Sequence, residues 1–216
     1  MLQQILKELA ATNTTLVAVS KTKPIEAIQA MYDQGQRIFG ENRVQELVEK
    51  EAVLPKDIEW HQIGHLQTNK VKYIAPFVSL IHAVDSLKLL KEINKQAAKN
   101  DRVIDCLLQF HIAEESSKFG FDEAEVTAML KSETFKEFEN IRIVGVMGMA
   151  TFTDNEAQVK QEFRQLKSHF DTLKDTFFST DIHFKEISMG MSGDYQLAVS
   201  EGSTMVRIGS LLFGSR

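Results

Sequence analysis

The sequence has 216 residues, 43% of them apolar and 25% charged, with a net charge of −5 and one cysteine. That length fits a single domain over residues 1–216, and the acidity argues against sequence-independent nucleic-acid binding. The lone thiol, Cys106, excludes an internal disulfide and cysteine-rich zinc frameworks, and no apolar stretch approaches a bilayer span.

The N-terminus, Met1-Leu2-Gln3-Gln4-Ile5-Leu6-Lys7-Glu8, lacks the apolar core of a signal peptide, so a cytoplasmic, membrane-free protein is expected. The first strand signal is the run Leu16-Val17-Ala18-Val19, uninterrupted by polar residues, as in a parallel strand covered on both faces. It ends in Ser20-Lys21-Thr22-Lys23-Pro24, and Pro24 suits the first turn of a helix. Lys21 therefore stands at the carboxyl end of a buried strand, where α/β folds place their ligands. A partly desolvated lysine there can act as a nucleophile; the plain alternative is a solvated loop lysine.

Further strands are predicted near 37–40, 58–63, 78–84, 103–111, 141–149, 182–188 and 205–209, after the first at 16–20. Between them the pattern turns helical. Asn42 opens a helix that faces Val44, Leu47 and Val48 inward, and Asp85 with Ser86 caps a stripe of Leu87, Leu90, Asn94 and Ala97. Residues 131–140, charged and dotted with phenylalanine, close the fifth helix. Thr153 with Glu156 reads as a capping box before Val159, Phe163, Leu166, Phe170 and Leu173. Cys106 sits in a strand-like run and reads as a buried, inert thiol.

Unbroken alternation of strand and helix predicts a parallel sheet, and eight strands would close a (β/α)8 barrel. A doubly wound open sheet is the alternative. Neither G-x-G-x-x-G nor a P-loop is present, so the common nucleotide signatures are missing.

Two clusters near the end, Ser188-Met189-Gly190-Met191-Ser192-Gly193-Asp194 and Glu201 to Ser210, put glycines and hydroxyls next to the last two strands. Such loops aim backbone N–H groups at a phosphate, aided by a helix dipole, though they also serve as ordinary turns. Arg207 lies inside the last strand, where it needs either a carboxylate partner or a ligand. With a strand-end lysine, a phosphate-bearing aldehyde or ketone is the natural ligand.

Five motifs, in order, carry a family resemblance: Ala18-Val19-Ser20-Lys21-Thr22-Lys23-Pro24, Phe39-Gly40-Glu41-Asn42-Arg43, Trp60-His61-Gln62-Ile63-Gly64-His65-Leu66-Gln67, Met189-Gly190-Met191-Ser192 and Arg207-Ile208-Gly209-Ser210. The chain resembles the YggS/PROSC family of pyridoxal-phosphate-binding homeostasis proteins from residue 16 onward. The resemblance implies the single barrel of the alanine racemase N-terminal domain kind. It makes Lys21 the Schiff-base lysine to pyridoxal 5′-phosphate, with Ser192, Gly209 and Ser210 around the phosphate. Arg207 then lies near the pyridine nitrogen and Asn42 beside the ring. Lys118, within Glu114-Glu115-Ser116-Ser117-Lys118, is implicated in cofactor transfer, against the plain reading of a salt bridge. Where the family has a proline after strand six, this chain runs from Gly145 to Ala150 into Thr151 and Phe152.

The expectation is a carrier of the cofactor that delivers it to apo-enzymes and meets amino acids, rather than an enzyme. An arginine at the ring nitrogen disfavours the proton that carbanion chemistry needs. None of Tyr32, Tyr73 and Tyr195 sits in a motif suited to a second acid/base, and a monomer is expected. A racemase-like pyridoxal-phosphate enzyme and a class I aldolase using Lys21 are the alternatives. Lys23 reads as solvent-facing. His61, His65 and His82 lie at strand ends without clustered carboxylates, so polar contacts are expected of them, not a metal site.

Overall fold

The computed structural model describes residues 1–114 and 119–214. The eight strands are β1 (Thr15–Val19), β2 (Ile38–Glu41), β3 (Glu59–Gln62), β4 (Leu80–Val84), β5 (Ile104–Gln109), β6 (Ile141–Met147), β7 (Glu186–Met191) and β8 (Met205–Ile208). They pair in parallel in sequence order, and β1 closes on β8 with Val17 opposite Arg207. Closure settles the choice between barrel and open sheet. Four-residue strands suffice because every edge is paired and none needs protection.

The unbroken apolar run of β1 now has its reason. Val17 and Val19 point into the barrel with Ile63, Leu107 and Met147, while Leu16 and Ala18 face the outer helical layer. Each face is buried, so alternation with polar residues is lost. The main core lies between strands and helices, around Phe39, Trp60, Phe163 and Phe184. At about 1.5–3 kcal/mol per large apolar side chain, this shell dominates the stability.

Eight helices of the shell matter for the site or the comparison with sequence: α1 (Leu2–Ala10), α2 (Ile25–Asp33), α3 (Val44–Val53), α4 (Val71–Ile74), α5 (Leu87–Ala98), α6 (Glu123–Lys131), α7 (Glu133–Lys136) and α8 (Glu156–Phe177). Two short ones, α9 (Tyr195–Ser200) and α10 (Ser210–Phe213), flank the last strand. Ser86 caps α5 by accepting from the Leu89 N–H, as its sequence suggests.

Four local expectations fail. Asn42 does not open α3: Arg43 is the residue before its first turn, without a side-chain cap. The seventh strand runs over Glu186–Met191 rather than 182–188, because Phe184 is drawn into the helical layer and Ile182 is left exposed. Asn155, not Thr153, caps α8; Thr153 accepts from the Asn155 N–H one step earlier. Residues 131–140 do not extend the fifth strand's helix, since Ser132 ends α6 in extended backbone and caps the separate turn α7.

Gly145 in β6 has φ +155°, and a Cβ there would overlap the Glu186 carbonyl of β7. Only glycine lets those strands close. The pairing of β7 with β8 shifts register between Ser188 and Met191, next to Ser192.

Candidate functional site

At the carboxyl ends of the strands a cavity of about 600 Å³ opens, lined by Lys21, Asn42, Ser192, Arg207, Gly209 and Ser210 among others. All six residues named from the sequence for cofactor contact thus meet in one place. Lys118 lies outside the described residues.

Lys21 is posed by polar groups beneath it. The buried Lys50 of α3 donates to the Ser20 carbonyl (2.9 Å) and to Glu41 Oε1 (2.7 Å), which also accepts from the Ser20 hydroxyl (2.6 Å). On the other side, Glu46 accepts the Thr22 N–H at 2.8 Å. Thr22 has φ +63°, a left-handed conformation that a β-branched residue rarely adopts. Both neighbours of Lys21 are therefore fixed. Burial pushes the Glu41 carboxyl upward against the pull of Lys50 and Ser20. Sequence reading missed this clamp, although Lys50 lies three residues from the inward Leu47 on the same helix face.

Opposite, Arg207 is buried and lies within 4 Å of no carboxylate among the described residues. Its guanidinium donates to Ser188 Oγ (2.6 Å) and to the Gly148 carbonyl (3.1 Å). Burial lowers its pKa to about 10, with Asp194 acting the other way. Ser188 passes the contact on: its Oγ lies 2.9 Å from His82 Nδ1, and His82 Nε2 lies 3.0 Å from His61 Nδ1. Since Arg207 donates to Ser188, the serine proton is free for His82, which orders the chain from Arg207 through Ser188 and His82 to His61. Burial brings His61 down to about 3 and His82 well below its ordinary value, so both are neutral. The two histidines are interior barrel residues, not loop groups, and their expected polar contacts are with each other.

The loops after β7 and β8 meet at this cavity. Ser192 Oγ accepts the Gly209 N–H at 3.1 Å, and Asp194 accepts the Met191 N–H. Burial raises the Asp194 carboxyl. Both N–H groups are thus used within the loops, and α10 is only one turn long.

The rim without the expected proline is held by a carboxylate instead. Glu162 of α8, buried, accepts the Thr151 N–H and hydroxyl at 2.6 and 2.7 Å. Phe152 beyond it is 97% exposed at the cavity mouth. Lys23 neither enters the cavity nor floats in solvent; its ammonium binds the carbonyls of Phe213 and Gly214 at 3.1 and 3.0 Å. Cys106 is fully buried, with its thiol pushed far from ionisation. Among the described residues there is no metal-type cluster and no helix long and apolar enough to cross a membrane.

The family model for the alanine racemase N-terminal domain matches residues 3–216. A protein of Aquifex aeolicus called pyridoxal phosphate homeostasis protein is 41% identical over 202 residues, covering 93% of this chain and 86% of its own. Its Escherichia coli K12 namesake is 36% identical over 206 residues, covering 94% and 86%. Among solved structures, PipY of Synechococcus elongatus with PLP bound superposes with a TM-score of 0.86 at 34% identity, covering 99% of this chain and 100% of that one. Alanine racemase of Clostridium difficile gives 0.73 at 14% identity, covering 100% of this chain and 56% of the racemase, a likeness of fold alone.

Proposed function

This chain belongs to the pyridoxal phosphate homeostasis protein family, and we propose that it holds pyridoxal 5′-phosphate through Lys21 without turning over a substrate. The observation that carries the proposal is the single cavity joining an approachable lysine to a phosphate-type loop pair and a fixed buried cation. The residues suit the group: among the described residues Arg207 is a buried charge within 4 Å of no carboxylate, and Gly209 keeps the cavity wall bare where a Cβ would press on the Val19 carbonyl at 3.2 Å.

When bound, this cofactor supplies an electrophilic aldehyde on a pyridine ring, with a phosphate for anchorage. Lys21 offers the amine for the aldehyde, as a Schiff base. Ser192 and Ser210 would offer hydroxyl donors to the phosphate, Gly209, whose N–H goes to Ser192 Oγ, would leave it room, and Asn42 would lie beside the ring. Arg207, its orientation set by Ser188 and Gly148, would stand at the ring nitrogen.

The same arginine argues for a carrier. A fixed cation opposes a proton on the ring nitrogen, so the ring withdraws electrons poorly and carbanions gain little. No tyrosine lines the cavity: Tyr32 binds Asp57 and Tyr195 binds Glu8, both at 2.7 Å, and Tyr73 is exposed. The open mouth beside Phe152 suits transfer to apo-enzymes, with Lys118 as the candidate transfer lysine by family resemblance. A cytoplasmic monomer completes the reading.

Incubation with D- and L-amino acids tests the carrier reading. Turnover no faster than that of free cofactor is expected; substantial racemase, decarboxylase or transaminase turnover would make the protein an enzyme.

A further inference from the structure

The cavity wall carries a protonatable group that the carrier reading leaves unused. His65, just past β3, lines the same cavity as Lys21 and Asn42. Its Nδ1 lies 3.0 Å from Asp85 Oδ2, just past β4, and the other Asp85 oxygen accepts from the Ser86 hydroxyl at 3.3 Å. A carboxylate only accepts, so the neutral imidazole carries its proton on Nδ1 and offers a lone pair at Nε2.

The ring is held in place from several sides. It stacks on Phe119 with centroids 4.0 Å apart and planes 18° apart. A Cβ on the preceding Gly64 would lie 2.7 Å from the Asn42 carbonyl. The buried Gln62 amide donates to the carbonyls of both Asn42 (3.0 Å) and Gly64 (3.1 Å). The ends of β2 and β3 are thereby stitched together, which sets His65 on the wall beside Asn42. Lys21, Asp154, Asp194 and Arg207 are the charged groups sharing the cavity, and Asp85 and Lys88 are those in the groove behind the ring.

Building on the cofactor reading, we infer that His65, oriented by Asp85, is the proton acceptor for a primary amine entering the cavity. The covalent hold at Lys21 is thereby exchangeable with such amines. The amine arrives as an ammonium and gives one proton to His65 Nε2. Its freed lone pair forms the new C–N bond at the aldehyde carbon while the bond to Lys21 breaks. The amine's two remaining hydrogens pass to the Lys21 nitrogen, and His65 returns the third, leaving Lys21 as an ammonium. Nothing is oxidised or reduced, and no proton is gained or lost overall. A base acting at nitrogen is consistent with a ring that stabilises carbanions poorly.

The test loads the protein with pyridoxal 5′-phosphate, mixes it with glycine or methylamine, quenches with borohydride at timed intervals, and quantifies labelled Lys21 by peptide mass. Rates are scored per Lys21 labelled at zero time. His65→Ala is expected to slow exchange about 10²-fold, the usual worth of a positioned base, and added imidazole should restore much of the rate. On the unloaded protein, ¹⁵N NMR should place the neutral His65 proton on Nδ1, and Asp85→Ala should release that preference. Absence of any label on wild-type Lys21 would overturn the cofactor reading. Full labelling with unchanged exchange in His65→Ala, failure of imidazole rescue, or a proton found on Nε2 would overturn the role of His65 alone.

Discussion

The buried ammonium of Lys50 donates to the main-chain carbonyl of Ser20, so a cation on α3 holds the residue immediately before Lys21. The same ammonium neutralises Glu41, whose Oε2 has no hydrogen-bond partner among the described residues. A charge pair under the barrel mouth therefore serves both the fold and the aim of the reactive lysine.

Lys50→Met leaves Glu41 buried without its cation and is expected to cost about 3–5 kcal/mol in urea unfolding. Adding Glu41→Gln to it should recover a large part of that loss, because the stranded charge goes with it. A Lys50→Met cost below about 1 kcal/mol would show that the pair is not under tension.

Acid should destabilise the unliganded protein through the interior histidines. His61 sits at about 3 when folded against 6.5 ordinarily, and His82 is also depressed. Below 6.5 the unfolded chain takes up protons that the folded barrel refuses, so stability is present above that pH and lost as pH falls toward 3. The slope reaches up to about 1.4 kcal/mol per pH unit for each histidine. Unfolding measured at several pH values should show His61→Asn losing about half of this slope; an unchanged slope would mean the histidines are not the source.

Gly190 has φ +93°, and a Cβ there would sit 2.5 Å from the Ala198 Cβ of α9. Gly190→Ala should cost about 1–3 kcal/mol through strain and overpacking and should weaken cofactor retention by shifting Ser192. Ala198→Gly in the same chain removes the closest contact but neither the 3.1 Å approach to Tyr195 Cα nor the backbone strain, so thermal melting should show partial recovery. No recovery would show that the Ala198 contact is not the source of the loss.

Much of this was legible because closed parallel barrels leave a plain record. Strand runs without alternation, such as Leu16 to Val19, report burial on both faces. The glycine and hydroxyl clusters around Ser192 and Gly209 report their loops. Less legible were features that depend on pairs distant in sequence. Nothing local to Lys50 reveals that its ammonium reaches the Ser20 carbonyl, 30 residues away. Nor does anything near His82 reveal Ser188 on the far wall. The misplaced seventh strand has a similar origin: Phe184 packs against Phe170 and Phe178, and tertiary stacking outweighs the local strand propensity of residues 182–185.

The central claim is that Lys21 carries the cofactor covalently. The most direct measurement reduces the pyridoxal 5′-phosphate-loaded protein with borohydride and maps the pyridoxyl mass by peptide sequencing, with Lys21→Ala treated alongside. The account predicts one label on Lys21, and in Lys21→Ala loss of both that label and the visible absorbance of the loaded protein. An unlabelled Lys21, or an undiminished label on another lysine in Lys21→Ala, would contradict it.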